Sequence, residues 1–313
     1  IDRYNRKHIF LIQNAIGAAV LGGCSLGFTA TTTAHDKLAV LCLAFATTSF
    51  IFNVHYPNLY AFLQELFPKG EYARVSSLIE IQGQITNAVG MTMGTLLING
   101  FSLGGFTVEP WHQSSLLALN AGTYVFAWVC ISFIRYVPRP RPLESGGMFS
   151  RVATGFAFLR RHTALLVFGI ASYCVFFSTM VTYPVIFPSY IKYNLHGSGV
   201  LMGLSEAIFA LGALGAGWFG LRFARRVTLG HPPRKVVWLT AGTAWCLICL
   251  VACEHWLLFL ALSLFLGLFN ALTRIVRVTY ILNNTPNHLI GRVNSFFQVV
   301  NVSMRIVFSG FTA

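Results

Sequence analysis

From Trp256 to Ile275 the chain reads WLLFLALSLFLGLFNALTRI, twenty residues whose one charged group, Arg274, stands next to the end. Wound as a helix at 1.5 Å per residue, such a run covers the roughly 30 Å of a bilayer's hydrocarbon core. Eight more stretches have similar length and character: about 9–30, 38–62, 76–99, 114–134, 163–187, 198–221, 236–253 and 294 to the end. The 313 residues are 55% hydrophobic and 10% charged, with a mean hydropathy of +0.66. A soluble domain carries roughly 25% charged residues, so a water-soluble enzyme, a secreted disulfide scaffold and a disordered chain are excluded. The expectation is an all-α, multi-pass membrane protein with about nine spans and its two ends on opposite sides.

The formal charge of +13, from 22 Lys and Arg against 9 Asp and Glu, would suit a nucleic-acid binder if it were gathered on one face. Instead the basic residues recur in every second loop. One set of loops holds Arg3, Arg6 and Lys7; Lys69 and Arg74; Arg135, Arg139, Arg141, Arg151, Arg160 and Arg161; Arg222, Arg225, Arg226, Arg234 and Lys235; and Arg274, Arg277 and Arg292. The opposite loops hold only Lys37 and Lys192. Cytoplasmic loops are the Lys/Arg-rich ones, which puts the N-terminus of this chain in the cytoplasm; the expected location is the cell (inner) membrane. The charge then records insertion and contact with anionic headgroups rather than nucleic acid. All seven Cys (24, 42, 130, 174, 246, 249 and 253) fall in apolar stretches. Cys246, Cys249 and Cys253 share a helix face but have no His or Met partners, so no metal and no other cofactor is expected.

The longest connection opens with Val137-Pro-Arg-Pro-Arg-Pro142, an extended path. It continues into a stretch where Phe149, Val152, Phe156 and Leu159 recur at helical spacing among Arg151, Arg160 and Arg161, as in a helix lying on the inner leaflet. This loop divides the chain into 1–136, a linker at 137–162, and 163–313. Arg74-Val-Ser-Ser77 recurs as Arg292-Val-Asn-Ser295, each six residues after a proline, Pro68 and Pro286. The offset of 218 residues spans six helices and begins on the same side each time. The repeat is therefore parallel, about an axis along the membrane normal, and implies two six-helix bundles. Counted back from it, the first two helices and the last lie outside this chain.

Asp2-Arg3-Tyr4-Asn5-Arg6-Lys7 resembles the loop signature G-x-x-x-D-R-x-G-R-K of the major facilitator superfamily, with Asn5 where the second Gly is usual. The stretches Phe149 to His162, Gly203 to Gly217 and Pro286 to Ser295 are similar to its drug and macrolide efflux branch. The resemblance implies that 1–136 holds helices three to six and 163–313 helices seven to eleven. It also implies that Asp2, Arg3, Arg6 and Lys7 form a conformational switch, Asp2 facing the start of helix eleven near Val293, where the helix dipole favours an anion. The plain alternative is a solvated, topology-setting loop. The antiporter motif G-P-x-x-G-G becomes Gly90-Met91-Thr92-Met93-Gly94-Thr95; its Pro and last Gly are gone, but Gly90-x-x-x-Gly94 still permits close helix approach.

A charge in lipid costs at least a few kcal/mol, which marks ionisable residues in spans as functional candidates. Glu80 lies about one turn into its span, Glu206 about eight residues below the outer edge of its helix, and Arg305 about eleven residues beyond Asn294, near the midplane. The repeat sets Gln298 against Glu80 and Asn87 against Arg305. Glu206 is the candidate for proton coupling or cation binding, and Arg305 for an anion or countercharge site. Asn53, His55, Tyr56 and Asn58 cluster around Pro57 in the helix that the resemblance makes a cavity liner. Each of these groups could equally be a buried side chain satisfied by its neighbours, or, around Pro57, by carbonyls that the kink frees.

The favoured function is secondary active transport by alternating access, in which a monomer couples proton movement to efflux of small amphipathic compounds. An uptake permease is the alternative within the same class. An intramembrane enzyme needs convergent catalytic groups, and the chain has no H-E-x-x-H, no G-x-S-x-G and no carboxylate pair within one helix. A non-transporting scaffold or receptor fits the composition equally well.

Overall fold

The computed structural model describes residues 5–103, 106–137, 148–182, 186–197, 199–222 and 232–312. Helix α1 covers Arg6–Ala30, α2 Ala34–Leu66, α3 Tyr72–Asn99, α4 Gln113–Ser132, α5 Met148–Arg161 and α6 Thr163–Val181. A short α7, Phe187–Tyr193, precedes α8 at Gly199–Arg222, α9 at Pro232–Val251, α10 at Trp256–Asn284 and α11 at Ile290–Thr312. A helix thus lies at each of the nine apolar stretches, and among the described residues six are long and apolar enough to cross a membrane: α1, α2, α4, α8, α9 and α10.

The ends of these helices follow from local chemistry. The Asn5 side chain accepts the backbone N–H groups of Lys7 and His8 at the start of α1. Thr33 Oγ1 accepts from Asp36 N at 3.1 Å and donates to the Asp36 carboxylate at 2.6 Å, which closes the first turn of α2. Helix α3 ends at Gly100, whose φ of +68° favours glycine, and a Cβ there would lie 2.7 Å from the Val108 carbonyl oxygen. That turn launches a small antiparallel hairpin, Phe101–Leu103 against Phe106–Val108, which apolarity alone did not announce.

Two compact units can be distinguished. The first comprises Ile1–Glu65, Val89–Gly146 and Ile290–Arg292. Its core joins Leu21 and Cys24 of α1, Ala44 of α2, and Leu117 and Ala121 of α4. The second comprises Leu66–Ala88, Gly147–Leu289 and Val293–Ala313, so the opening turns of α3 belong to it. One apolar cluster in it gathers Phe187, Ile191, Leu201, Cys246, Leu250, Phe259 and Leu266 from α7, α8, α9 and α10. Large apolar side chains also face outward, such as Phe45 at 74% exposure and Trp238 at 68%. For a chain whose solvent is lipid, this is the expected surface.

A close helix contact lies where α8 crosses α10. A Cβ on Gly267 would come 2.8 Å from the carbonyl carbon of Phe209, and one on Gly212 would come 2.9 Å from that of Leu264. Ala213, Ala216 and Ala271 pack beside this crossing. Small residues thus let two backbones touch. Gly90 and Gly94 do not play this part, because a Cβ on either would meet no atom within 4 Å.

Helix α10 runs to Asn284 instead of ending near 275, and this moves Arg274 and Arg277 out of a loop and into the helix. Val276, Val278, Ile281 and Leu282, all buried, continue its apolar face past both arginines. Of the long connection, α5 is described, with Leu159 fully buried and Arg160 and Arg161 exposed. Its proline-rich start from 138, with Arg139 and Arg141, lies outside the described residues, as do Arg225 and Arg226.

Candidate functional site

In the second unit, α3 begins at Tyr72, earlier than the apolar run suggested, so Glu80 lies two turns inside it. Glu80 is 4% exposed. Its Oε1 accepts from the Gln84 amide at 2.8 Å, one turn on. Its Oε2 lies 3.2 Å from Arg274 Nε, an ion-pair contact across to α10. The same guanidinium lies over the Phe176 ring of α6, 5.7 Å from its centroid.

Arg277, three residues further along α10, is buried and donates to the Ser172 carbonyl at 3.1 Å. Its guanidinium carbon sits 3.9 Å from the centroid of Tyr173, whose ring stacks at 6.0 Å on Phe297 of α11. Two arginines one turn apart are thus laid on two aromatic rings one turn apart in α6, a cation–π arrangement that offsets part of the cost of withdrawing charge from water. Helix α8 approaches α3 beside this group through Gly217 and Gly220: a Cβ on Gly217 would lie 3.3 Å from the Ser77 carbonyl oxygen, and one on Gly220 3.2 Å from Ser77 Cβ.

In the first unit, Arg6 is fully buried, and its Nη1 lies 3.3 Å from Glu65 Oε1 of α2 while donating to the Ala61 carbonyl. Tyr136 donates its hydroxyl to Glu65 Oε2. Asn58, also fully buried, donates to the Arg6 carbonyl at 3.0 Å. Lys7 Nζ donates to the carbonyls of Ser132 and Ile134 at 2.8 and 2.7 Å, which places a cation on the unsatisfied carbonyl end of α4. The Arg6-Lys7 half of the sequence motif therefore ties α1 to α2 and α4. Asp2 and Arg3 lie outside the described residues.

The cluster around Pro57 divides. His55 Nδ1 meets Gln13 Nε2 of α1 at 3.0 Å and packs edge-on to Phe10. Asn53, an exposed residue, donates to the Ser49 carbonyl within its own helix. Tyr56 sits edge-on against His55 and Phe52. Glu206 is half-buried in α8 and has no hydrogen-bond or ion-pair partner among the described residues. Asn87 is exposed and Gln298 half-buried, on α3 and α11. Arg305 lies on α11, and its side chain is outside the described residues.

Glu65, Tyr136, Arg274 and Arg277 did not stand out in the sequence as site residues. For Arg277 a signal was present, since the apolar residues after it extend the helix past it. For the others only the folded arrangement supplies the partner.

These features define a multi-pass, helical membrane protein with ion pairs withdrawn into its interior. The sequence profile of the Major Facilitator Superfamily matches residues 1–309. The chain belongs to that family, and it is accordingly a membrane transporter of small molecules rather than an enzyme. Among solved structures it resembles the outward-facing crystal structure of a bacterial homologue of the iron transporter ferroportin. The two are 14% identical with a TM-score of 0.63, over 98% of this chain and 76% of the other. That likeness speaks for the fold alone. No curated protein matches the chain.

Proposed function

We propose that this chain belongs to a proton-coupled exporter of small amphipathic compounds, of the drug and macrolide efflux type, working by alternating access between two six-helix bundles. In this reading it sits in the cell membrane with the N-terminus of the chain in the cytoplasm. It acts as a monomer, with a linker at 137–162 between helices three to six and seven to eleven of the family. The observation that supports coupling most directly is Glu206: a half-buried carboxylate in a spanning helix, with no partner among the described residues, is available to a proton or to a cationic group of the cargo. Arg305 is the companion candidate for anionic cargo or countercharge.

The test is flux in vesicles carrying the protein, with and without an imposed proton gradient, over a panel of amphipathic cations, neutral macrocycles and, because the structural relative is a homologue of an iron transporter, iron. Gradient-driven efflux that falls at least about tenfold in Glu206→Gln supports the reading. Flux indifferent to both the gradient and the substitution refutes it, and gradient-driven accumulation in the inward direction assigns the protein to uptake instead.

A further inference from the structure

We infer that the corner between α5 and α6 is a binding site for one anionic phospholipid, whose phosphate sits on Arg160 and Arg161 and whose acyl chain lies against Phe156. The inference does not depend on what the chain transports.

Three observations carry it. The first is the level at which the arginines are held. Only His162 separates α5 from α6. The His162 N–H donates to the carbonyls of Phe158 and Leu159 at 3.1 and 3.0 Å, and its own carbonyl accepts the N–H groups of Leu165 and Leu166 at 2.9 and 3.1 Å. The joint therefore has no slack. Helix α6 opens at once on an apolar run, Ala164-Leu-Leu-Val-Phe168, which belongs in hydrocarbon. Arg160 and Arg161 thus stand within about one turn, 5.4 Å, of that boundary, at the depth of the headgroups.

The second is that their charge is unmatched. Helix α5 contains three arginines and no acid. Arg160 and Arg161 are exposed and make no hydrogen bond, ion pair or ring contact among the described residues. Arg6 and Arg274, by contrast, have Glu65 and Glu80. Two consecutive cations repel each other, and a phosphate shared between them replaces that repulsion by charge-assisted hydrogen bonds.

The third is the apolar surface beside them. Gly155 and Leu159 are buried, whereas Phe156, one turn before Arg160, is 45% exposed. Its ring lies 5.6 Å from that of Phe296 on α11. Phe296 meets Phe297 edge-on at 5.7 Å, and Phe297, fully buried, fills the space that a Cβ on Gly169 of α6 would need. Phe156 is therefore the outer member of an aromatic row rooted in the core of the second unit, a firm surface for an acyl chain. A guanidinium and an exposed ring one helical turn apart match the two ends that a single anionic lipid presents. A soluble phosphate or an acidic peptide would use the arginines and leave the ring bare.

The test is binding of a fluorescent phosphatidylglycerol to the purified protein in neutral detergent, with unlabelled competitors. Unlabelled phosphatidylglycerol should displace the probe at least about tenfold better than phosphatidylcholine, a preference that shrinks as salt rises. The double variant Arg160→Gln, Arg161→Gln should bind the probe at least about tenfold more weakly, and Phe156→Ser should also weaken it. Arg135→Gln, which removes an exposed arginine beyond the end of α4, should bind it as the wild type does. Equal displacement by the two lipids in the wild-type protein overturns the site, even if no variant folds. A loss in Arg135→Gln as large as in the double variant also overturns it, because the attraction is then diffuse. Displacement by glycerol 3-phosphate or by a polyglutamate peptide as strong as by phosphatidylglycerol reassigns the arginines to a soluble phosphate or to an acidic protein, and either result refutes the lipid site.

Discussion

Replacing Gly267 by Ala probes the crossing of α8 and α10. The new Cβ would lie 2.8 Å from the carbonyl carbon and 3.1 Å from the Cα of Phe209, where carbon pairs prefer about 3.5–4.0 Å. The obstacle is backbone, so no rotamer change relieves it and the helices must part by about 1 Å. A gap of that size forfeits a quarter to a half of each contact of about 0.1–0.2 kcal/mol, and a crossing shares on the order of forty of them, which gives about 2–3 kcal/mol. Alanine returns up to about 1 kcal/mol of helix propensity. The net expectation is a loss of about 2 kcal/mol, within the range for overpacked cores. Equilibrium unfolding in mixed micelles measures it. Gly83→Ala is the control, because a Cβ there meets nothing within 4 Å, and it should be neutral or slightly stabilising. Gly212→Ala should behave like Gly267→Ala, and the double variant should lose less than the sum, since the first separation makes room for the second methyl. A Gly267→Ala protein as stable as the control would refute the crossing.

Two further outcomes follow from the first unit. Glu65→Gln removes the anion that faces the fully buried Arg6 and should cost about 3–5 kcal/mol in the same unfolding measurement, whereas Tyr136→Phe removes one hydroxyl and should cost about 1 kcal/mol; equal losses would contradict the ion pair. Lys7→Met removes a cation from the carbonyls that end α4 and should weaken the protein by about 0.5–1 kcal/mol, a loss that shrinks in high salt.

Much of the helical architecture was legible because apolarity and run length are local properties. A stretch such as 256–275 needs no partner to declare itself a helix, and each of the nine stretches carries one. The ends were less legible. Helix α10 continues past Arg274 and Arg277 because their charge is met by Glu80 and by the rings of Phe176 and Tyr173, groups far away in the chain. The spacing Gly90-x-x-x-Gly94 pointed to close packing, but those glycines face open space, and Gly212 and Gly267 make the contact. Which glycine touches a neighbour depends on how its helix is rotated, and composition is silent on that.

The same division runs through the site. Glu80 and Glu206 were marked by position alone, since any carboxylate deep in an apolar run is costly. That one is paired and the other is without a partner among the described residues was decided by the register between helices. The sequence by itself determined that this is a membrane-embedded helical protein, because transfer of side chains from water to lipid adds residue by residue along the chain. The tertiary structure alone decided which charges meet, because an ion pair exists only when two helices, each free to turn about its own axis, bring their side chains within a few ångströms.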